Sequence, residues 1–465
     1  MAMNLRSAIA VLVPLALAGA VAVPDAGAET VRLGLRATVE RAVAESHLLK
    51  AGDADVAKAG ESVRKAQSQR ILPKAEVSLR TGLVPEARGN VVSSPDTRDS
   101  LAGLGPYYRL ELTLAQPLWT FGKLDALETL ARQGVATEEA RRALTRENVS
   151  FDAAKAYATL AAANRTGEVA EDMRRDFDQL QSEVEKRLND ASSGVDDADL
   201  FEVRTQAFGI DRAHLGALEV RRLAADALRA MLALPDADEP EPIGEPSPLV
   251  EIDEAAFPGA VARAVERHPE VRALAAAERA VAANVELQRK SRSPVVFLAA
   301  EAGTAHAGNR DEQDNPWVQD DFNFSRIGAA IGVTWDANLH RANIDVSAAL
   351  DERRAVAERL AALRSKVGVD VRQALRATVR ERALLESARS ALKAAKSRLR
   401  LVLDTWETGL EEVSKVLDSY EKYYELRAEE PQRELALNLA IARLSFVLGD
   451  VNLYLGWVER GKVSL

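Results

Sequence analysis

Two stretches of this 465-residue sequence follow the same pattern, and that constrains the fold more than any other feature. HLLKAGDADVAKAGESVRKAQSQRILPKAEVSLRTG starts at His47, and HPEVRALAAAERAVAANVELQRKSRSPVVFLAAEAG starts at His268. Each reaches a proline 26 residues later, at Pro73 and Pro294. Each begins as an Ala-rich helical pattern and turns β-like at the proline. The halves then keep step. A second β-like run ends at Trp119 in one and Trp335 in the other, a very long helical region follows, and a glycine turn comes at Gly194 and Gly409. A returning helix closes each half. Internal duplication of this kind fixes the organisation before any residue-level argument. The reading gives a first repeat over 29–234, a Pro-rich acidic linker over 235–252 that should run extended and solvated, a second repeat over 253–449 and a tail over 450–465.

Residues 1–28 read as a secretory signal peptide. Arg6 supplies the positive charge, Ala8 to Val23 the apolar run, and Ala26-Gly27-Ala28 the small-residue cleavage site. No later stretch is long and apolar enough to span a bilayer as a helix. The net charge of −10, from 61 Lys+Arg against 71 Asp+Glu, argues against a nucleic-acid partner. There is no Cys, which excludes disulfides and thiolate chemistry. Five His leave little for a metal centre, no acid is joined to a nucleophile or His pattern, and no phosphate loop is present. The expectation is a non-enzyme with no cofactor and no metal.

Aromatics are 5% of the chain while apolar residues are 47%, so the apolar content is largely Ala and Leu, the composition of long helices in lengthwise contact. No proline interrupts Pro117 to Pro235 or Pro316 to Pro431. Helices are expected from about Lys123 to Asn189, roughly 100 Å at 1.5 Å per residue, and from about Arg341 to Thr408. Leu385, Ala388, Leu392, Ala395, Leu399 and Val402 form a heptad seam, and Leu437, Ile441, Leu444 and Leu448 form its counterpart on the returning helix. Beside the first seam, Arg382, Glu386, Arg389 and Lys393 read most simply as a solvated face. Pro431 predicts a kink in the returning helix.

Four runs alternate with the period of a strand, at about 73–85, 107–118, 294–305 and 324–336. Leu110, Leu112 and Leu114 oppose Arg109, Glu111 and Thr113; Val77, Leu79 and Leu83 oppose Glu76, Ser78, Arg80 and Gly82. The run after Pro294 alternates less cleanly. Each run is about 10 residues, the length of a tilted membrane strand. Glu76, Arg80, Arg109 and Glu111 are the candidate lumen residues. Tyr107, Tyr108, Trp119, Trp317, Phe322, Phe324 and Trp335 read as an interfacial girdle. The alternative is a pair of soluble hairpins packed on helices. Four strands cannot close a barrel, and lipid does not tolerate an open strand edge, so membrane strands here require several chains to share one barrel.

At this point the chain resembles the TolC-type outer-membrane efflux family, over about Leu33 to Gly449. The resemblance rests on LPKAEVSL from Leu72, LTLAQPLWTFGK from Leu112, GVTWDANLHRANI from Gly332, the tip ETGLEEVSKVLDSYEKYYELR from Glu407, and the closing ALNLAIARLSFVLG from Ala436. It implies a homotrimer. Its twelve-stranded outer-membrane β-barrel, four strands per chain, would continue into a long periplasmic α-helical coiled-coil barrel. It also implies an exit duct of a tripartite pump or type I secretion system. The partners would be outer-membrane lipid, a periplasmic adaptor (membrane fusion) protein and an inner-membrane pump, and the location a Gram-negative-type outer membrane. The hairpin tips, about 188–199 and 405–415, would carry Gly194, Val195, Gly409 and Leu410 as the adaptor-docking surface. Asp196, Asp197, Asp199, Lys415 and Asp418 would surround the periplasmic entrance, although acids at helix starts also serve as plain caps. Lys415 stands where the family often has an acid. The competing reading is a soluble periplasmic coiled-coil adaptor or scaffold; a helical periplasmic enzyme or binding protein is a more remote one.

Overall fold

The computed structural model describes residues 30–89, 98–189, 195–244, 247–252, 257–313, 317 and 320–464. The signal peptide and Gly194 lie outside the described residues. The chain runs β1 (Thr30–Leu33), α1 (Leu35–Glu45), α2 (His47–Ile71), β2 (Lys74–Arg88), β3 (Arg98–Trp119), α3 (Lys123–Leu188) and α4 (Asp197–Met231). It continues through β4 (Glu239–Pro242), β5 (Leu249–Val250), α5 (Phe257–Arg267), α6 (Pro269–Lys290), β6 (Val295–Ala307) and β7 (Phe324–Thr334). It closes with α7 (Leu339–Glu407), α8 (Val413–Val447), α9 (Asn452–Arg460) and β8 (Lys462–Val463). The order helix, helix, strand, strand, long helix, returning helix thus occurs twice. The lengths keep pace: α3 has 66 residues and α7 has 69, while α4 and α8 have 35 each.

The proline-free tracts become α3 and α7. No helix among the described residues is long and apolar enough to cross a membrane. On α7, Leu385 and Leu399 are buried, and Ala388, Leu392, Ala395 and Val402 half-buried, between exposed neighbours. On α8, Leu437, Ile441 and Leu444 are buried. α8 runs unbroken through Pro431, whose ring is buried. The face of Arg382 to Lys393 is more than solvated. Arg389 bridges to Glu430 at 3.0 Å and also to Glu434 on α8, and Arg165 on α3 meets the same Glu434. Glu434 retains 14% of its side-chain exposure, so these pairs stitch three helices in a partly dry place.

One antiparallel sheet has the order β2-β3-β6-β7, so the two hairpins join through their inner strands and β2 and β7 are its outer strands. β3 starts at Arg98, ahead of the alternation that begins at Tyr107, and a register shift between Val84 and Glu86 marks where its pairing with β2 becomes irregular. At that end the Asn309 side chain donates to the carbonyls of Val84 and Gly103, both at 2.8 Å. A side chain at Gly105 would collide with it.

At mid-length sits the larger core, where Leu35, Tyr157, Leu228, Val250, Leu375, Ile441, Leu444 and Trp457 meet. The linker is extended, with most of its described residues exposed or half-buried and Pro240, Pro248 and Val250 buried. β4 pairs in parallel with β1, and β5 with β8, tying the linker to Thr30–Leu33 and Lys462–Val463. Arg382 donates to the carbonyl of Val250. These pairings at Glu239–Pro242 and Leu249–Val250 remove much of the freedom its composition suggested.

His268 caps α6 in this region. Its Nδ1 accepts the Glu270 amide at 3.3 Å, and its ring stands edge-on to Phe446. Burial lowers its pKa from the ordinary value near 6.5. A depressed pKa means that the unfolded chain takes up the proton first, so stability is lost as pH falls below about 6.5. Thermal unfolding between pH 7.5 and 5 should show this loss in the wild type. His268→Asn, which retains a capping acceptor, should flatten the dependence.

Candidate functional site

The residues singled out from the sequence lie in two places, one face of the sheet and the joined hairpin tips. In the sheet, register fixes which residues share a level. Arg80 faces Arg109, Ser78 faces Glu111, and Glu76 faces Thr113. Across β6, Gly303 lies beside Glu111 and Glu301 beside Thr113, and β7 places Arg326 beside Gly303. Glu76, Arg80, Arg109 and Glu111 therefore share a face with Glu301 and Arg326. Arg109 donates to Glu111 at 2.7 Å, and Arg326 donates to the same oxygen at 2.9 Å. Gly303 makes this reach across two strands possible: a Cβ there would press on the Phe324 ring at 3.2 Å and on Glu111 at 3.3 Å. Phe324 lies 5.4 Å from the Arg109 guanidinium and 4.6 Å from that of Arg326, with the cations over its ring. Glu76 and Arg80 on the outer strand are exposed.

The opposite face is apolar and open. Val77 and Leu79 on β2 are 67% and 65% exposed, and Ile327 and Ile331 on β7 are 90% and 71% exposed. A bare apolar surface of that kind marks contact with lipid or protein.

The aromatic residues do not form one girdle. Tyr108, Trp119, Trp317 and Trp335 are exposed, and Trp335 Nε1 donates to the carbonyl of Arg292 at 2.9 Å. Tyr107 and Phe324 instead share the polar face, and Tyr107 stands edge-on to Phe322 at 5.2 Å. Alternation could have assigned these two, because Tyr107 is an even number of residues from Arg109 and Phe324 from Arg326. Proximity to a strand end had taken precedence.

At the tips, a second, separate core joins the hairpins. Phe177, Val184, Leu200 and Val203 from α3 and α4 pack with Trp406, Val413, Val416 and Leu417 from α7 and α8. Arg187 lies over the Trp406 ring at 4.0 Å and donates to the Trp406 carbonyl at 3.1 Å. Gly409 ends α7 at φ +75°, with its N–H on the Trp406 carbonyl and the Leu410 N–H on the Thr405 carbonyl, the paired bonds of a glycine-terminated helix. Leu410 is 78% exposed beyond it, whereas Val195 is half-buried against the tip core.

The acids at the tips divide by task. Asp196 is the N-cap of α4, accepting from the amides of Ala198 and Asp199, and Asp199 accepts the Asp196 amide in return. Asp197 is exposed in the first turn. Lys415 pairs with Glu411 at 2.6 Å, which raises its pKa. Asp418 is exposed and lines a groove of about 450 Å³ between α3, α4 and α8, floored by Phe177, Tyr420 and Tyr424. Above it Tyr424 donates to Asp176, and Arg427 meets Asp172. Burial first, and then the bond to Asp176, push the Tyr424 phenol well above its usual range. These α3–α8 links are not legible in the sequence, since their partners lie some 250 residues apart.

Neither a protein-family profile nor the sequence of a curated protein matches the chain. Solved structures do. A membrane protein from Pseudomonas aeruginosa superposes with TM-score 0.72 at 18% identity over 90% of each chain. CusC, described for folding and transmembrane channel formation, gives 0.72 at 17% over 92% of this chain and 95% of its own. The Campylobacter jejuni CmeC outer membrane channel gives 0.70 at 13% over 92% and 89%. The chain has the fold of these channel proteins, the TolC-type outer-membrane factor fold.

Trp406 is the element shared by both tips. Trp406→Ala should cost about 3–5 kcal/mol, concentrated there. Trypsin should then cleave at Arg187 and Arg204 faster than in wild type, while the sheet keeps its protection, as measured by peptide mapping of timed digests.

Proposed function

We propose that this chain is an outer-membrane exit duct. It would be a passive homotrimeric channel through which a tripartite efflux pump or a type I secretion system passes cargo from the periplasm to the exterior. One observation carries the reading: a four-stranded sheet with an exposed apolar face, a charged opposite face and two outer strands. In lipid the backbone groups along β2 and β7 must be paired, and an even-numbered barrel with a polar lumen satisfies them. Three copies supply twelve strands. The fold shared with outer-membrane channels supports the same location and the same assembly.

In that assembly Arg80 and Arg109 form one belt of the lumen, Glu111 and Arg326 the next, and Glu76 and Glu301 a third nearer the helices. Energy has to come from an inner-membrane pump, reached through a periplasmic adaptor that meets the hairpin tips around Gly194, Val195, Gly409 and Leu410. Asp418 and Asp197 are the acids free to face the entrance. Asp196 and Asp199 are engaged as caps, and Lys415 with its partner Glu411 adds little net charge. The twofold element order is in keeping with an internally duplicated ancestor.

The test is direct. The protein should fractionate with the outer membrane, require detergent for extraction, and have the mass of three chains in it. In planar bilayers it should conduct ions with a preference for cations. Asp418→Ala should lower the cation-to-anion permeability ratio by about twofold or more, and Lys415→Ala should raise it. A monomer soluble without detergent would overturn the proposal in favour of a periplasmic scaffold.

A further inference from the structure

On the polar face of the sheet, positive charge outweighs acid at one level. Arg80 on β2 is the register partner of Arg109 on β3. Like charges set directly opposite across a strand pair destabilise it. Arg109 finds relief on its other side, donating to Glu111 at 2.7 Å and lying 3.9 Å from Asp321. Arg326 draws on the same Glu111 oxygen at 2.9 Å, so one carboxylate serves two guanidiniums. The Nε of Arg109 is buried without a hydrogen-bond partner, so even this half of the pair is incompletely matched. Arg80 is exposed, and among the described residues no acid stands within ion-pair distance of it.

Aromatic rings border the same spot. Tyr107 lies one level beyond Arg109 on that face, and its register partner Gly82 lies one level beyond Arg80. A Cβ at Gly82 would come within 2.9 Å of the Tyr107 ring. The ring therefore leans over β2 next to Arg80, and it is only half-buried there. Phe322 stands edge-on behind it at 5.2 Å.

We infer that Arg80, Arg109 and Tyr107 form a subsite for aromatic oxyanions: a sulfonate, carboxylate or phosphate carried on a flat ring. The planar fork of Arg80 donates two parallel hydrogen bonds to such a group. The bound charge offsets the repulsion between Arg80 and Arg109, and the ligand's ring packs against Tyr107. The inference rests on the duct reading for its setting, a wet lumen, and names a cargo class that reading leaves open. Three copies would place three subsites around one belt, and rings of Arg favour anions in a pore.

The probe is naphthalene-2-sulfonate, with inorganic sulfate and the neutral 2-naphthalenemethanol as controls. Titrated calorimetrically into detergent-extracted protein, the sulfonate should bind, and each control should bind about tenfold more weakly or not at all. In planar bilayers the sulfonate should cause transient blockades. Arg80→Gln should weaken binding by about fivefold or more. Arg80→Lys, which keeps the charge and loses the fork, should weaken it less. Tyr107→Leu should narrow the preference for the sulfonate over sulfate. An unchanged molecular mass in detergent checks that each variant has folded and assembled. Binding that Arg80→Gln leaves intact, or equal binding of either control, overturns the subsite. A protein that conducts but does not bind the sulfonate also overturns it, and the duct stands. Binding that depends on Arg80 in a protein that does not conduct keeps the subsite and overturns the duct.

Discussion

The constraint on which the rest of the structure depends is the unsatisfied backbone along the outer strands of the sheet. Buried N–H and C=O groups must find partners, and lipid offers none. A four-stranded sheet whose apolar face is the bare one cannot meet that demand within a single chain. On the proposed reading the third dimension of the molecule follows from this. The sheet recruits copies, the copies impose a ring, and the ring requires every helix below it to present complementary edges to its neighbours. Gly303 shows how closely the strands answer to the demand. By having no side chain it lets Arg326 reach Glu111 across β6, so that Glu111 accepts from Arg109 and Arg326 together.

The helices face a different problem. A helix of 66 or 69 residues has no compact core to end in, so it must bury itself along its length with modest area per turn. Small residues allow close approach, and the ion pairs of Arg389, Arg165 and Glu434 tie α7, α3 and α8 where apolar area is scarce. Two larger cores interrupt this economy, one at mid-length and one at the tips. Between them the wall is held by seams and polar links such as Tyr424 with Asp176. That leaves two packed nodes joined by a stretch of long coiled coil.

Local patterns in the sequence carried much of this. Absence of proline and a 3-4 spacing of Leu and Ala are local properties, and they located α3, α7 and the α7–α8 seam. Period-two alternation likewise brought Glu76, Arg80, Arg109 and Glu111 to one face. Non-local pairing was not legible. Nothing in PDADEPEPIGEPSPLV says that Glu239–Pro242 will lie beside Thr30–Leu33 and Leu249–Val250 beside Lys462–Val463, because two-residue and four-residue parallel pairings have no periodic signature. Arg389 was read as solvated for the same reason, since its acids lie on another helix. Asp196 and Asp199 were legible in both their roles, and only the geometry of the capping box chose between them.

That choice alters the electrostatics of the tips. An acid whose oxygens accept helix amides has part of its field opposed by the helix dipole, and an acid paired one turn away, as Glu411 is with Lys415, is largely neutralised at distances beyond the Debye length, about 8 Å in physiological salt. Counting carboxylates around an entrance therefore overstates its potential. What remain are Asp197 in the first turn of α4 and Asp418, the latter exposed beside a groove floored by aromatic rings. That charge stands over a packed floor, with Phe177 and Tyr424 buried and Tyr420 half-buried beneath it. On the proposed reading, an entrance built this way would act through the few acids left unengaged rather than through their number.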